Sequence, residues 1–218
     1  MKENLELVIF DMDGLMFDTE RVFCDAMFAV AKELQVEVDE HALYSSLGTS
    51  SFRLEKFFYQ GIPDGVDLNR MIKDIVDESD EEMFLTGVPK KEGLDELMAL
   101  LKENEIRMAV ATSTRIERAG KLLESAGVMP MLEFVVTGPE VKRGKPYPDI
   151  FLKACEKAGV EPEKALVLED SMHGGRAARA AGIRYIIIPD INQPPEDVVD
   201  SAYAVVDSLF DVSKLIFS

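Results

Sequence analysis

The sequence predicts an α/β fold, an open parallel sheet with helices on both faces and an all-helical insertion after the first strand. Three observations carry this. Short apolar runs recur along most of the chain, amphipathic helical patterns separate them, and one long stretch near the start has helical patterns but no strand. The 218 residues suffice for one or two domains, and 47% hydrophobic content suffices for a buried core.

The elements follow in order. Leu7-Val8-Ile9-Phe10 is the first run, with Met108 to Ala111, Phe134 to Thr137, Leu166 to Leu168, Tyr185 to Ile188 and Tyr203 to Val206 after it. These runs are continuous rather than alternating, as expected of strands buried on both faces of a parallel sheet. Between them, Leu94, Leu97, Met98 and Leu101 share one helical face, as do Ile150, Phe151, Ala154, Cys155 and Ala158. Gly127, Gly159 and Gly182 each close such a pattern, where a left-handed cap is expected. From about Asp18 to Leu85 the stretches Val22 to Leu34, Phe52 to Phe58 and Leu68 to Phe84 read as helices, and Gly87-Val88-Pro89 restarts the strand–helix alternation. The expected division is therefore an α/β core of residues 1–17 and 87–218 and a helical cap of residues 18–86. Gln193-Pro194-Pro195 reads as a surface turn.

The chain carries 24 Lys and Arg against 41 Asp and Glu, a net charge of −17, which argues against nucleic acid as a partner. No apolar run is long enough to span a bilayer, and the first residues lack the pattern of a secretory signal. Cys24 and Cys155 are far apart in apolar helical patterns and read as buried free thiols. A cytoplasmic monomer is expected.

In open α/β sheets ligands bind beyond the carboxyl ends of the strands. There the chain places Asp11-Met12-Asp13-Gly14, Thr112-Ser113, Gly144-Lys145-Pro146 and Glu169-Asp170. Carboxylates gathered at one sheet edge repel one another unless a cation balances them, and oxygen ligands with room for water and a phosphate oxygen suit magnesium.

Asp11-Met12-Asp13-Gly14-Leu15-Met16-Phe17-Asp18-Thr19-Glu20 resembles the signature of the haloacid dehalogenase-like superfamily of phosphatases and phosphomutases. Thr112, Lys145 in Gly-Lys-Pro-Tyr-Pro-Asp and Glu169-Asp170-Ser171 resemble the remaining family motifs, in order, so the resemblance covers nearly the whole chain. It implies a Rossmann-like core and a magnesium-dependent phosphatase for a small phosphorylated metabolite. Asp11 would be the nucleophile and Asp13 the general acid and base. Thr112, Ser113 and Lys145 would bind phosphate. Asp11, Asp13 with its backbone carbonyl, and Asp170 would hold the ion, with Glu169 either a ligand or placed behind the ligands. Asp13 separates the chain from dehalogenases and phosphonate-cleaving relatives, which lack that acid. Sugar phosphomutases of the family carry a His where Phe23 stands and a cap Arg where Ser51 stands. Arg53 could substitute, so a mutase is the alternative, and a phosphate-binding module without turnover is a third.

Other polar residues have plainer expectations. Thr112 would also cap the following helix, His173 would line a helix start and His41 would be a surface cap residue. The acidic runs Asp77 to Glu82 and Glu37 to Glu40 would be solvated. Arg53, Lys56, Arg70 and Lys73 are the cap cations available to a second anionic group of a substrate.

Overall fold

The computed structural model describes residues 4–47, 54–59 and 61–217. Six strands, β1 (Leu7–Phe10), β2 (Arg107–Thr112), β3 (Phe134–Thr137), β4 (Ala165–Glu169), β5 (Arg184–Ile187) and β6 (Ala204–Val205), form one sheet. All pairings are parallel and the order is β3-β2-β1-β4-β5-β6, the doubly wound Rossmann-like arrangement. The chain runs outward from β1 in one direction and then in the other. Phe10 pairs with both Val110 and Leu168, so the carboxyl ends of β1, β2 and β4 open side by side at the point of reversal.

Burial on both faces explains why the strands read as continuous apolar runs. Val8 and Phe10 face one layer with Leu97, Leu101 and Leu122, while Leu7 and Ile9 face the other with Phe151, Ala154 and Ala177. The first layer holds α4 (Leu94–Glu103), α5 (Ile116–Ser125) and α9 (Leu209–Phe217), and the second α6 (Asp149–Ala158) and α7 (Met172–Ala180). A short α8 (Glu196–Val199) precedes β6. Gly127, Gly159 and Gly182 all take positive φ at helix ends, as expected from the sequence. The two cysteines are buried free thiols.

Between β1 and α4 the described residues hold no strand beyond isolated bridges, and their helices are α1 (Thr19–Leu34), α2 (Glu40–Ser46), α3 (Leu68–Thr86) and a 3-10 turn at Leu54–Phe57. They enclose an apolar centre of their own around Met27, Val30, Leu43, Phe58 and Ile72. Of the helix expected over Phe52 to Phe58, the described residues form a 3-10 turn at Leu54–Phe57, and Phe52 and Arg53 lie outside the described set. α9 had no counterpart in the sequence expectations. Its apolar stripe, Leu209, Val212 and Ile216, is buried with Leu94, Leu97 and Leu101 of α4, but covers only about two turns. Among the described residues no helix is long and apolar enough to cross a membrane.

Candidate active site

Asp11 is the first residue past β1. Its N–H donates to the Leu168 carbonyl at 3.0 Å, which locks the end of β1 to β4. The chain then turns tightly, with Met16 N–H on the Met12 carbonyl and Gly14 N–H on the Phe17 carbonyl, both at 2.9 Å. Gly14 has φ +86°, and a Cβ there would strike Asp170 Oδ2, so the turn demands glycine twice over.

The opposite wall is built from β4 and α7. Glu169 ends β4 fully buried, and its Oε2 accepts from Asp170 N at 3.1 Å, Ser171 N at 3.0 Å and Ser171 Oγ at 2.9 Å. Ser171 caps α7, accepting from Gly174 N at 3.1 Å, and a Cβ on Gly174 would collide with the Glu169 carboxylate. Lys145 reaches across from the loop before α6. Its Nζ donates to Asp11 Oδ1 and, at 2.5 Å, to Glu169 Oε1, and lies 5.2 Å from the centre of the Phe151 ring.

Asp11, Glu169 and Asp170 thus present carboxylate oxygens within 4.8 Å of one another, all buried. Burial, with smaller contributions from Glu169 and Asp13, raises Asp11 to about 8 although Lys145 pulls the other way. Burial, Glu20, Glu169 and Asp11 together push Asp170 well above the usual carboxylate range. Burial alone would lower Lys145, but Asp11 and Glu169 outweigh it and hold the ammonium charged. One lysine against three buried carboxylates leaves a charge deficit that a divalent cation matches, and an all-oxygen donor set suits a hard one.

The Asp13 carboxylate does not join this cluster, which is compatible with the expectation that Asp13 offers the ion its backbone carbonyl. It turns to the β2 side, where Oδ1 accepts from Thr19 Oγ1 at 2.6 Å and Arg118 Nη1 at 3.2 Å. Oδ2 accepts from Thr114 Oγ1 at 2.7 Å and Thr112 Oγ1 at 3.3 Å. With these hydroxyls and a guanidinium within reach, the side chain satisfies its lone pairs there. Thr112 is fully buried at the end of β2 and does not cap α5. Its Oγ1 accepts from Thr114 N at 3.0 Å, while α5 begins at Ile116 after an extended Arg115.

A cavity of about 280 Å³ lies between these loops and the inserted helices. Asp11, Asp13, Thr112 and Ser113 line its floor, and Phe23, Leu47 and Val76 line its roof. Arg118 is the cation on its wall among the described residues. Arg70 and Lys73, suggested as cap cations, instead pair with Asp74 and Asp77 on the exposed side of α3, and Lys56 is exposed. Arg53 and Ser51 lie outside the described residues. His173 stands in the first turn of α7 with Nε2 3.5 Å from the Ser45 carbonyl, and His41 is exposed in the first turn of α2.

The roles of four residues of the site are absent from the sequence expectations. Thr19, Thr114 and Arg118 all bind Asp13, and Asp80, assigned to a solvated run, is buried against Arg118. A signal for Asp80 exists in the sequence. It continues the Leu68, Ile72, Val76 stripe of α3, so the helical period places it on the inward face, where a carboxylate needs a partner.

A doubly wound sheet with an aspartate at the tip of its central strand, a buried lysine and an acidic pair on the neighbouring strand defines an α/β enzyme with its site at the topological switch point. The match to a family model, haloacid dehalogenase-like hydrolase, runs over residues 8–188, and the chain belongs to that family. A phosphorylated carbohydrates phosphatase of Thermotoga maritima is 31% identical over 188 residues, 84% of each chain. A phosphoglycolate phosphatase of Nitrosospira multiformis is 29% identical across 97% of this chain and 96% of its own. Among solved structures, CbbY from Rhodobacter sphaeroides in complex with xylulose-(1,5)-bisphosphate superposes with a TM-score of 0.76 at 28% identity, covering 95% of this chain and 96% of that one.

Proposed function

We propose that this chain is a magnesium-dependent phosphatase of small phosphorylated carbohydrates or polyols, working through a phosphoryl group carried on Asp11. It is a phosphoric monoester hydrolase. The observation that carries the reading is the pairing of Asp11 with Lys145 at the tip of β1, beside the buried Glu169 and Asp170. The phosphatase relatives support the reaction class.

An Asp11 oxygen attacks phosphorus, and the bond from phosphorus to the leaving oxygen breaks as Asp13 delivers a proton to that oxygen. Asp13 then takes a proton from the incoming water, whose oxygen bonds to phosphorus as the bond to Asp11 breaks and the carboxylate returns. Lys145, the Thr112 hydroxyl and the Ser113 N–H hold the non-bridging oxygens. Asp11 and Asp170 would ligate magnesium, which supplies charge neutralisation and orientation of the phosphoryl group when bound. Both Glu169 oxygens are committed to Lys145 and the 170–171 backbone, so its role is to orient those groups. Residues 18–86 act as the cap over a core of 1–17 and 87–218, with Phe23, Leu47 and Val76 excluding water above the phosphate. Phe23 stands where the mutases of the family carry a histidine, which favours hydrolysis over isomerisation.

The test is a panel of sugar, polyol and small-acid phosphates, assayed for free phosphate with magnesium and with a chelator. Magnesium-dependent release from at least one sugar or polyol phosphate is expected. Conversion of a hexose 1-phosphate into its isomer in the presence of a bisphosphate, without net phosphate release, would replace this reading with the mutase.

Metal binding carries its own pH signature. Below about 8 the metal-free Asp11 holds a proton that an incoming cation must displace. Asp170 is raised as well, so apparent magnesium affinity should rise by about tenfold or more per pH unit from pH 6 to pH 8 as the two ligands give up their protons. Magnesium titrations of thermal stability at pH 6, 7 and 8 read this directly, and a flat series would contradict the placement of the ion at Asp11.

A further inference from the structure

We infer that Arg118 is a positioning residue for Asp13, and that Asp80 on the inserted helix α3 fixes Arg118, so that the aim of the proton donor depends on the insertion lying against the core. The inference rests on the phosphatase reading above. Arg118 stands in the first turn of α5, a core helix, and Asp80 near the end of α3, 38 residues earlier. One edge of the guanidinium binds Asp80 through two bonds, Nε to Oδ2 at 2.6 Å and Nη2 to Oδ1 at 2.9 Å. The remaining Nη1 donates to Asp13 Oδ1 at 3.2 Å.

A bidentate pair fixes the plane of the fork, and the plane fixes where the third nitrogen points. Lysine offers a point charge and no plane, so it could hold one carboxylate or the other but could not aim between them. Local preference does not account for an arginine at this position. A cation in the first turn of a helix opposes the helix dipole, and Glu117 beside it is the residue type that position favours. Nor does Asp80 follow its neighbours, since Asp77, Glu78, Glu81 and Glu82 are exposed while its own side chain is only 9% exposed. Both residues depart from what their own helices favour, and the departures meet in one contact between α3 and α5.

The consequence falls on Asp13. Of the four donors on its carboxylate, Thr112 and Thr114 belong to the core, Thr19 opens the insertion, and Arg118 is fixed by the insertion through Asp80. Two of the four therefore hold Asp13 only while α1 and α3 lie where they do. An acid aimed in this way delivers its proton to the leaving oxygen when the roof is in place over the substrate, and loses that aim when the roof lifts. The device ties the chemical step to enclosure of the substrate.

The experiment compares two leaving groups with magnesium present: the sugar or polyol phosphate hydrolysed fastest in the panel, whose alcohol needs a proton to depart, and 4-nitrophenyl phosphate, whose phenolate departs without one. The measure is kcat/KM, which reports the steps through departure of the leaving group. Asp80→Asn and Arg118→Gln should each lower kcat/KM on the alkyl phosphate by about tenfold or more while changing it by less than about threefold on the aryl phosphate. The double variant should be no worse than Arg118→Gln alone, because the pair acts as one unit. Arg118→Lys should not restore the loss. Asp80→Asn keeps the shape of the side chain and carries the test if Arg118→Gln does not fold. Equal losses on both substrates, additive losses in the double variant or unchanged rates would overturn the inference while leaving the phosphatase reading intact. A wild-type chain that releases phosphate from neither substrate would overturn the phosphatase reading and this inference with it.

Discussion

Asp11→Asn should abolish phosphate release, with a fall of at least about 10³-fold on every substrate, 4-nitrophenyl phosphate included. A good leaving group does not rescue this variant, since what is lost is the atom that attacks phosphorus rather than the proton for the departing oxygen. The fold should survive. The amide has the shape of the carboxylate, the Asp11 N–H bond to the Leu168 carbonyl is untouched, and Lys145 keeps Glu169 Oε1 at 2.5 Å. Removing one of three crowded carboxylates also relieves some of the repulsion that raises Asp170. Thermal stability without metal should accordingly stay close to that of the wild type, and the stabilisation gained on adding magnesium should shrink. Phosphate release and thermal melts on the same preparation check both parts. Activity within about tenfold of wild type would remove Asp11 from the nucleophile's role.

The contrast between Asp11 and Arg118 shows what could be learned from the sequence. Asp11, Thr112 and Glu169 each lie at the end of a strand, and each strand announces itself as an apolar run buried on both sides, so locating the strands locates the residues. Their convergence then follows from a sheet in which β1 lies between β2 and β4. Arg118 and Asp80 lie on helices, where their position along the chain says which face they occupy but not what that face meets. The expectation for the run Asp77 to Glu82 failed at Asp80 because charge was read along the sequence, whereas the helical period places that one residue inward. Thr112 shows a similar gap. A hydroxyl at the end of a strand before a helix is the pattern of a cap, but three residues intervene before α5 and the hydroxyl turns to Asp13 and Thr114 N. Contacts that join elements at a distance depend on how the elements pack, and local pattern does not encode them.

Lys145→Met should be the most destabilising single change in the site, costing about 3–5 kcal/mol, because it leaves two buried carboxylates without their cation. Methionine matches the length and apolar stem of lysine, so little cavity forms and the loss reports charge rather than packing. The pH dependence separates the two causes. In the wild type Asp11 is raised to about 8 in the folded chain, above its unfolded value, so its carboxyl favours the fold below pH 4 and loses that contribution as pH rises towards 8. Lys145 is the group that limits the rise, and without it the folded value moves higher still, deepening the penalty through pH 8. The contribution of the Lys145 ammonium itself is constant over this window, since its own titration lies above it. Denaturant unfolding of both proteins at pH 5 and pH 8, without metal, should therefore show a deficit that is larger at pH 8. A deficit equal at the two values would mean that Lys145 stabilises the site by packing against Phe151 rather than by its charge.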